Sequence, residues 1–199
     1  MKKLLSIDLS TTSTGFATFY WNGTLLDCGI IKPKKVKGKK DETTYPETQL
    51  LRMYSICSQI VDLVDKEVPD VIVIEEIAGS SSRLGQKTLD GIHWILADYL
   101  YKNGTIKKIV YYDVTGVSGW RTHLRLVLSD ADKLHNKEAK KLNKITRGKK
   151  IIPITSKHLA CRYVNHFFKM NLDVDLNKSD SDVSDAICIG HSYCKLYLK

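Results

Sequence analysis

Asp8, Glu75, Asp182 and Asp185 are the residues of this 199-residue chain whose types and placement could do chemistry. Asp8 ends the apolar run Leu4-Leu5-Ser6-Ile7, and Glu75 ends Val71-Ile72-Val73-Ile74. Asp182 and Asp185 stand three apart at the start of what reads as the last helix, so they share one helix face. A carboxylate at the end of a buried strand is costly unless it meets a cation or a hydrogen-bond network. Four carboxylates brought together repel one another and raise each other's pKa. Hard divalent cations relieve that repulsion, and Mg²⁺ takes oxygen ligands. On a basic protein, such a site points to metal-dependent phosphodiester cleavage.

Plainer readings exist for each acid. Asp8 could cap its own hydroxyl-rich turn, Ser10-Thr11-Thr12-Ser13-Thr14-Gly15, though the same turn would also admit a phosphate closely. Asp182 and Asp185 suit the positive end of a helix dipole. Those readings weaken because Asp8 and Glu75 independently call for partners. Glu75 is followed by Glu76, and strand alternation sends the two to opposite faces. Only one can reach a site built around Asp8, and periodicity leaves open which.

The formal net charge is +9 and the pI about 9.2. The plain reading of such a balance is solubility; the sharper one is an anionic partner, of which nucleic acid is the commonest. The length suits one domain, 1–199, with an insertion at 118–150. The insertion is strongly basic and reads as helical pieces; Arg121, Arg125, Lys140, Lys141, Lys144 and Arg147 are its candidate DNA contacts. The cysteine count is odd, five, and no Cys-x-x-Cys occurs, which argues against a disulfide scaffold and a structural zinc site. Free core thiols in a reducing cytoplasm are expected. No uninterrupted apolar run approaches the ~20 residues of a membrane span, so a soluble cytoplasmic protein is expected. None of the six histidines has a second ligand at metal spacing, and no Ser-His-Asp, Cys-His or P-loop arrangement occurs.

The elements that must position the acids read in the order βββ-α-β-α-β, then the insertion, then two helices. Strands are predicted over Leu4–Leu9, Thr14–Trp21 and Thr24–Ile31, the last two joined by the hairpin signal Asn22-Gly23. Helical spacing covers Glu47–Lys66, a strand Val71–Ile77, a helix Arg83–Lys102 and a strand Lys107–Val114. Thr155-Ser156 would cap a helix to about Met170, and Ser179–Tyr197 forms the last helix. Lys32–Lys40 and Gly79–Ser82 read as loops. The whole is a five-stranded mixed α/β sheet flanked by helices, with acids at strand ends, where α/β sheets place their sites.

These motifs resemble those of a known family. Ile7-Asp8-Leu9-Ser10-Thr11-Thr12-Ser13-Thr14-Gly15 resembles the first motif of the RuvC family of Holliday junction resolvases, and Ile74-Glu75-Glu76-Ile77 its second acidic motif. Leu84-Gly85-Gln86 is similar to its Leu-Gly-Gln, and Asp182-Val183-Ser184-Asp185-Ala186 to its closing Asp-x-x-Asp-Ala. The order and spacing agree over most of the chain, and a phage member is one expectation. The resemblance implies a ribonuclease H-like fold, a homodimer and two Mg²⁺ ions per site, with Mn²⁺ as a substitute. It makes Asp8, Glu75, Asp182 and Asp185 the metal ligands, favouring Glu75 over Glu76. It places Lys157 near the scissile phosphate. It implies paired nicks in branched DNA, four-way junctions above all, leaving 5′ phosphate and 3′ hydroxyl.

Two departures stand out. Ala78 occupies a position where the family often carries a junction-wedging aromatic, and the basic stretch is an addition to the compact members. Competing readings are a nuclease-dead junction-binding module, an RNA–DNA hybrid nuclease on a similar scaffold, and an ATPase of the sugar-kinase, actin and Hsp70 type. The last would need a second Asp-Gly phosphate loop, which the chain lacks.

Overall fold

A computed structural model describes residues 1–34, 46–76, 83–114, 119–145, 150–175 and 178–198. The expected wedge position Ala78, the candidate contact Arg147, the loop at 79–82 and most of the lysine tract lie outside them.

Strand β1 (Lys3–Asp8) is central. It pairs antiparallel with β2 (Thr14–Tyr20) and parallel with β4 (Val71–Glu75). β3 (Leu25–Ile31) continues the antiparallel side and β5 (Ile109–Tyr112) the parallel side, giving the order β3-β2-β1-β4-β5. The hairpin forms at Asn22-Gly23: Gly23 takes φ +87°, which glycine tolerates without steric cost, and its N–H donates to Tyr20 O at 2.9 Å. Strand β3 starts at Leu25 rather than Thr24, because the Thr24 carbonyl closes the turn onto Tyr20 N–H. Strand β5 is shorter than Lys107–Val114. A 3₁₀ turn over Ile106–Lys108 precedes it, and pairing ends where Glu75 meets Tyr112.

Both faces of β1 and β4 are covered, which is why their sequences run apolar with little alternation. Leu5, Ile7, Ile72 and Ile74 face α1 (Glu47–Glu67) and α2 (Arg83–Lys102), meeting Ile56, Ile60, Ile92, Leu96 and Leu100. Leu4, Ala17, Phe19 and Val73 face the other way, onto α6 (Lys178–Tyr197). From Ser181 to Ser192 every residue of α6 is buried, as befits a helix covered on all sides. α5 (Ser156–Phe168) packs on α6; it stops two residues before Met170 because Lys169 turns left-handed, φ +56°.

Two glycines set how closely α6 lies on the sheet. A Cβ on Gly15 would fall on the Asp182 carbonyl, and one on Gly190 would meet the Phe19 ring and Ser6 Oγ at 2.5 Å. Between them, Ser6 Oγ donates to Ala186 O at 2.7 Å, bolting β1 to α6.

The basic segment forms α3 (Trp120–His123) and α4 (Asp130–Ile145). No residue of α4 belongs to either hydrophobic core. Instead an extended strap, 151–154, runs antiparallel along it. Asn143 exchanges two hydrogen bonds with the Ile151 backbone (2.8 and 2.7 Å), and Asn136 two with Ile154 (2.8 and 2.6 Å). The match is metric: two helical turns rise ~10.5 Å, and three extended residues span ~10 Å. An ion pair of 2.7 Å, Arg162 to Asp132, ties the base of α4 to α5.

Candidate active site

Strand register assembles the first two acids. Asp8 and Glu75 end adjacent parallel strands, one step beyond the Ile7–Ile74 pair. Ser6 and Asp8, like Val73 and Glu75, point to the α6 face. Glu76 points to the opposite face, where it is exposed and lines a separate cavity with His93, Trp94 and Tyr111. The face occupied by α6 therefore brings Glu75, not Glu76, beside Asp8. α6 delivers the other two: Gly15, the strand partner of Asp8, lets the Asp182 backbone approach directly, and Asp185 follows one turn on.

The four carboxyls feel one another. Burial, then Glu75, Asp185 and Asp182, push the Asp8 carboxyl well above the ordinary carboxylate range. Burial raises Asp185 to about 7; Arg121 and Lys157 pull it down, while Glu75 and Asp182 push it up. Asp185 is only 2% exposed, and its Oδ1 is buried without a hydrogen-bond partner.

Cations and donors from outside the strands hold three of these acids. Trp120 Nε1 donates to Glu75 Oε1 at 3.2 Å, Arg121 lies 3.5 Å from Asp185 Oδ2, and Lys157 lies 3.4 Å from Asp182 Oδ1. Burial lowers the Lys157 pKa, but Asp185, Asp182 and Asp8 more than offset it, so the ammonium titrates above its ordinary value. Beside Lys157 opens a cleft of about 300 Å³ lined by Ser10, Thr12, Ser13, Ser181 and Asp182. Ser13 Oγ is buried there without a partner.

Among the described residues, no three His, Cys, Asp or Glu side chains close on one point as they would around a metal ion. The donor set nevertheless fits a hard divalent cation. It is all carboxylate oxygen, mutually repelling, and one buried oxygen is unclaimed.

The sequence-predicted residues thus separate into groups. Asp8, Glu75, Asp182, Asp185 and Lys157 come together. Arg121, expected on a DNA-facing basic surface, is placed against Asp185 within this cluster. Arg125, Lys140, Lys141 and Lys144 are exposed on the α3–α4 segment. The contact of Trp120 with Glu75 was not foreseen; the one signal for it was a tryptophan, rarely left in solvent, inside an otherwise basic stretch. All five cysteines are free. Among the described residues no helix is long and apolar enough to cross a membrane.

No protein-family model and no curated protein matches the chain. Solved structures do. Thermus thermophilus RuvC in complex with a Holliday junction substrate aligns with a TM-score of 0.58 at 12% identity, covering 100% of this chain and 98% of that one. Fowlpox virus resolvase in complex with Holliday junction DNA gives 0.51 at 15% identity, with 99% of each chain covered. The yeast mitochondrial Holliday junction resolvase gives 0.50 at 15% identity, covering 98% of this chain and 79% of that one. Sheet order and the helix across it, over nearly the whole length, give this chain the ribonuclease H-like fold of the RuvC-type Holliday junction resolvases.

Proposed function

We propose that the chain is a single RuvC-like nuclease domain, a divalent-metal-dependent endonuclease that resolves four-way DNA junctions by paired nicks and acts as a homodimer in the cytoplasm. The observation that carries this reading is the gathering of Asp8, Glu75, Asp182 and Asp185 at one end of the sheet, Glu75 half-buried and the other three buried, with the Asp8 and Asp185 carboxyls pushed up by burial and by their acidic neighbours. The fold it occupies is shared with proteins solved on junction DNA.

Asp8, Glu75, Asp182 and Asp185 would hold two Mg²⁺ or Mn²⁺ ions, which supply an activated water and charge for the leaving 3′ oxygen. The chain's own groups do the rest. Asp8, which interacts with each of the other three acids, would be a ligand common to the set. Lys157 meets the phosphate of the strand to be cut, and the hydroxyls of Ser10, Thr12, Ser13 and Ser181 offer donors along the adjoining cleft. The exposed lysines of α4 bind junction-arm phosphates, positioning DNA without reading sequence. Two protomers would set two sites on opposing strands, matching the near two-fold symmetry of a junction. In-line attack leaves 5′ phosphate and 3′ hydroxyl ends.

The test is cleavage of labelled four-way junctions in Mg²⁺ by wild type and D8N, with a linear duplex as control. Paired, ligatable nicks by wild type alone, with junction binding kept in D8N, is the expected result. Binding without cutting in Mg²⁺ and Mn²⁺ would replace this reading with a junction-binding module. Cutting confined to RNA–DNA hybrids would replace the substrate.

A further inference from the structure

Trp120 and Arg121 are neighbours on α3, and each touches a different acid of the site. The indole N–H donates to Glu75, and the guanidinium faces Asp185. Their placement is firm. The Trp120 side chain is fully buried, its backbone N–H donates to Asp113 O at 3.0 Å, and the guanidinium lies over its ring, 4.7 Å from the centroid. Tyr112 OH lies 2.8 Å from both His123 Nδ1 and Ser192 Oγ, pinning α3 between β5 and α6.

The ion pair itself is loose. A guanidinium can grip a carboxylate with two parallel hydrogen bonds at about 2.8 Å, but here the approach is 3.5 Å. Asp185 Oδ1 and Arg121 Nε are both buried without hydrogen-bond partners. A pair built for stability would saturate these atoms, since buried unpaired polar groups are costly. One unclaimed carboxylate oxygen and one half-used cation describe a contact that is made to be exchanged.

We propose that Arg121 is a resident countercharge for Asp185, occupying the Asp185 side of the site until a divalent ion displaces it. This inference rests on the metal-dependent reading above. Arg121 acts here as a positioning residue: it holds Asp185 in place, and it sets how readily that side of the site loads. The stack on Trp120 gives the displaced guanidinium a fixed seat beside the acids. Lys157 also acts on Asp185 through its charge, but its direct contact is with Asp182, at 3.4 Å, which leaves Arg121 as the cation in contact with Asp185.

The test is titration of Mn²⁺ into DNA-free protein, followed by calorimetry and by the Mn²⁺ paramagnetic signal, for wild type, R121Q, R121K, D185N and R121Q/D185N. R121Q should bind Mn²⁺ about tenfold more tightly than wild type, about what one exchanged ion pair confers. R121K, which keeps charge but loses the planar stack, should fall between, and it keeps the test open if R121Q does not fold. With Asp185 replaced, the effect of R121Q should vanish, as expected when two residues act through one contact. Equal affinity in wild type and R121Q, or an R121Q effect that persists in the D185N background, overturns the proposal. D8N binding Mn²⁺ as wild type does would overturn the metal reading itself, and the Arg121 inference with it.

Discussion

Replacing Gly15 by alanine probes whether the close approach of α6 to β2 sets the acidic site. A Cβ at this position would lie on the Asp182 carbonyl, 2.5 Å from its carbon and 3.1 Å from Val183 N. Ordinary contact begins near 3.4 Å, so the Asp182 carbonyl carbon must retreat by roughly 1 Å and its oxygen, which lies nearer still, by more. The obstacle is helix backbone and cannot swing aside as a side chain can. Retreat would also pull on the Ser6–Ala186 hydrogen bond and on the Gly190 contact with Phe19. Overpacking of this kind costs about 1–3 kcal/mol, which for a chain of this size lowers Tm by about 2–12 °C. Asp182 and Asp185 would move away from Asp8, and a ~1 Å misplacement in a catalytic constellation costs on the order of 10²-fold in rate. The assays are thermal melting by circular dichroism and single-turnover junction cleavage at saturating Mg²⁺. Gly29→Ala is the control, since its Cβ would meet only the Phe16 ring, at 2.9 Å; that ring can rotate, so cleavage should hold. Wild-type cleavage and an unchanged Tm in G15A would refute the reasoning.

Three further outcomes are expected. Without metal, stability should fall as pH rises from about 4 through about 7: the folded chain raises Asp8 and Asp185 above their unfolded values near 3.9, so it holds protons that the unfolded chain releases. Melts in chelator should show this, with a flatter profile in D185N, and a profile that rises over the same range would contradict it. The Arg162–Asp132 tie works in the other direction: hydrogen bonds from Arg162 and Ser129 hold Asp132 down at about 2, so its contribution is full above about 4 and fades towards pH 2. In R162A, hydrogen exchange at the base of α4 should quicken at neutral pH; unchanged protection there would disprove the tie. Lastly, replacing Lys140, Lys141 and Lys144 together by alanine should lower the slope of log binding constant against log salt by about three, and an unaltered slope would remove α4 from the DNA interface.

Local pattern was enough to find the elements that carry the acids. The last helix is predicted over Ser179–Tyr197 and α6 spans Lys178–Tyr197, and the runs ending at Asp8 and Glu75 are adjacent parallel strands. The choice between Glu75 and Glu76 was not legible in periodicity, because alternation separates the two without saying which face a helix will cover. The resemblance favoured Glu75 in advance, and the packing of α6 supplies the physical reason it lies beside Asp8. Arg121 shows a different limit. Composition gave it the same standing as its basic neighbours, yet burial of Trp120 beside it turns it inwards to Asp185. Charge counts describe a segment, whereas the destination of one guanidinium depends on the apolar residue next to it. The strap was missed for a related reason: Asn136 and Asn143 are two turns apart on one face, but nothing local announces which backbone they will meet.

That strap has a consequence for how the chain can vary. Most of the clasp between α4 and 151–154 is made of bonds between residues fewer than twenty apart, and α4 has no part in either core. Its repeat is seven helical residues against three extended ones. Adding or removing one such unit, ten residues in all, would lengthen or shorten the arm by about 10 Å while leaving both ends facing the same way. The reach of the basic arm can thus be retuned separately from the acids, one clasp at a time.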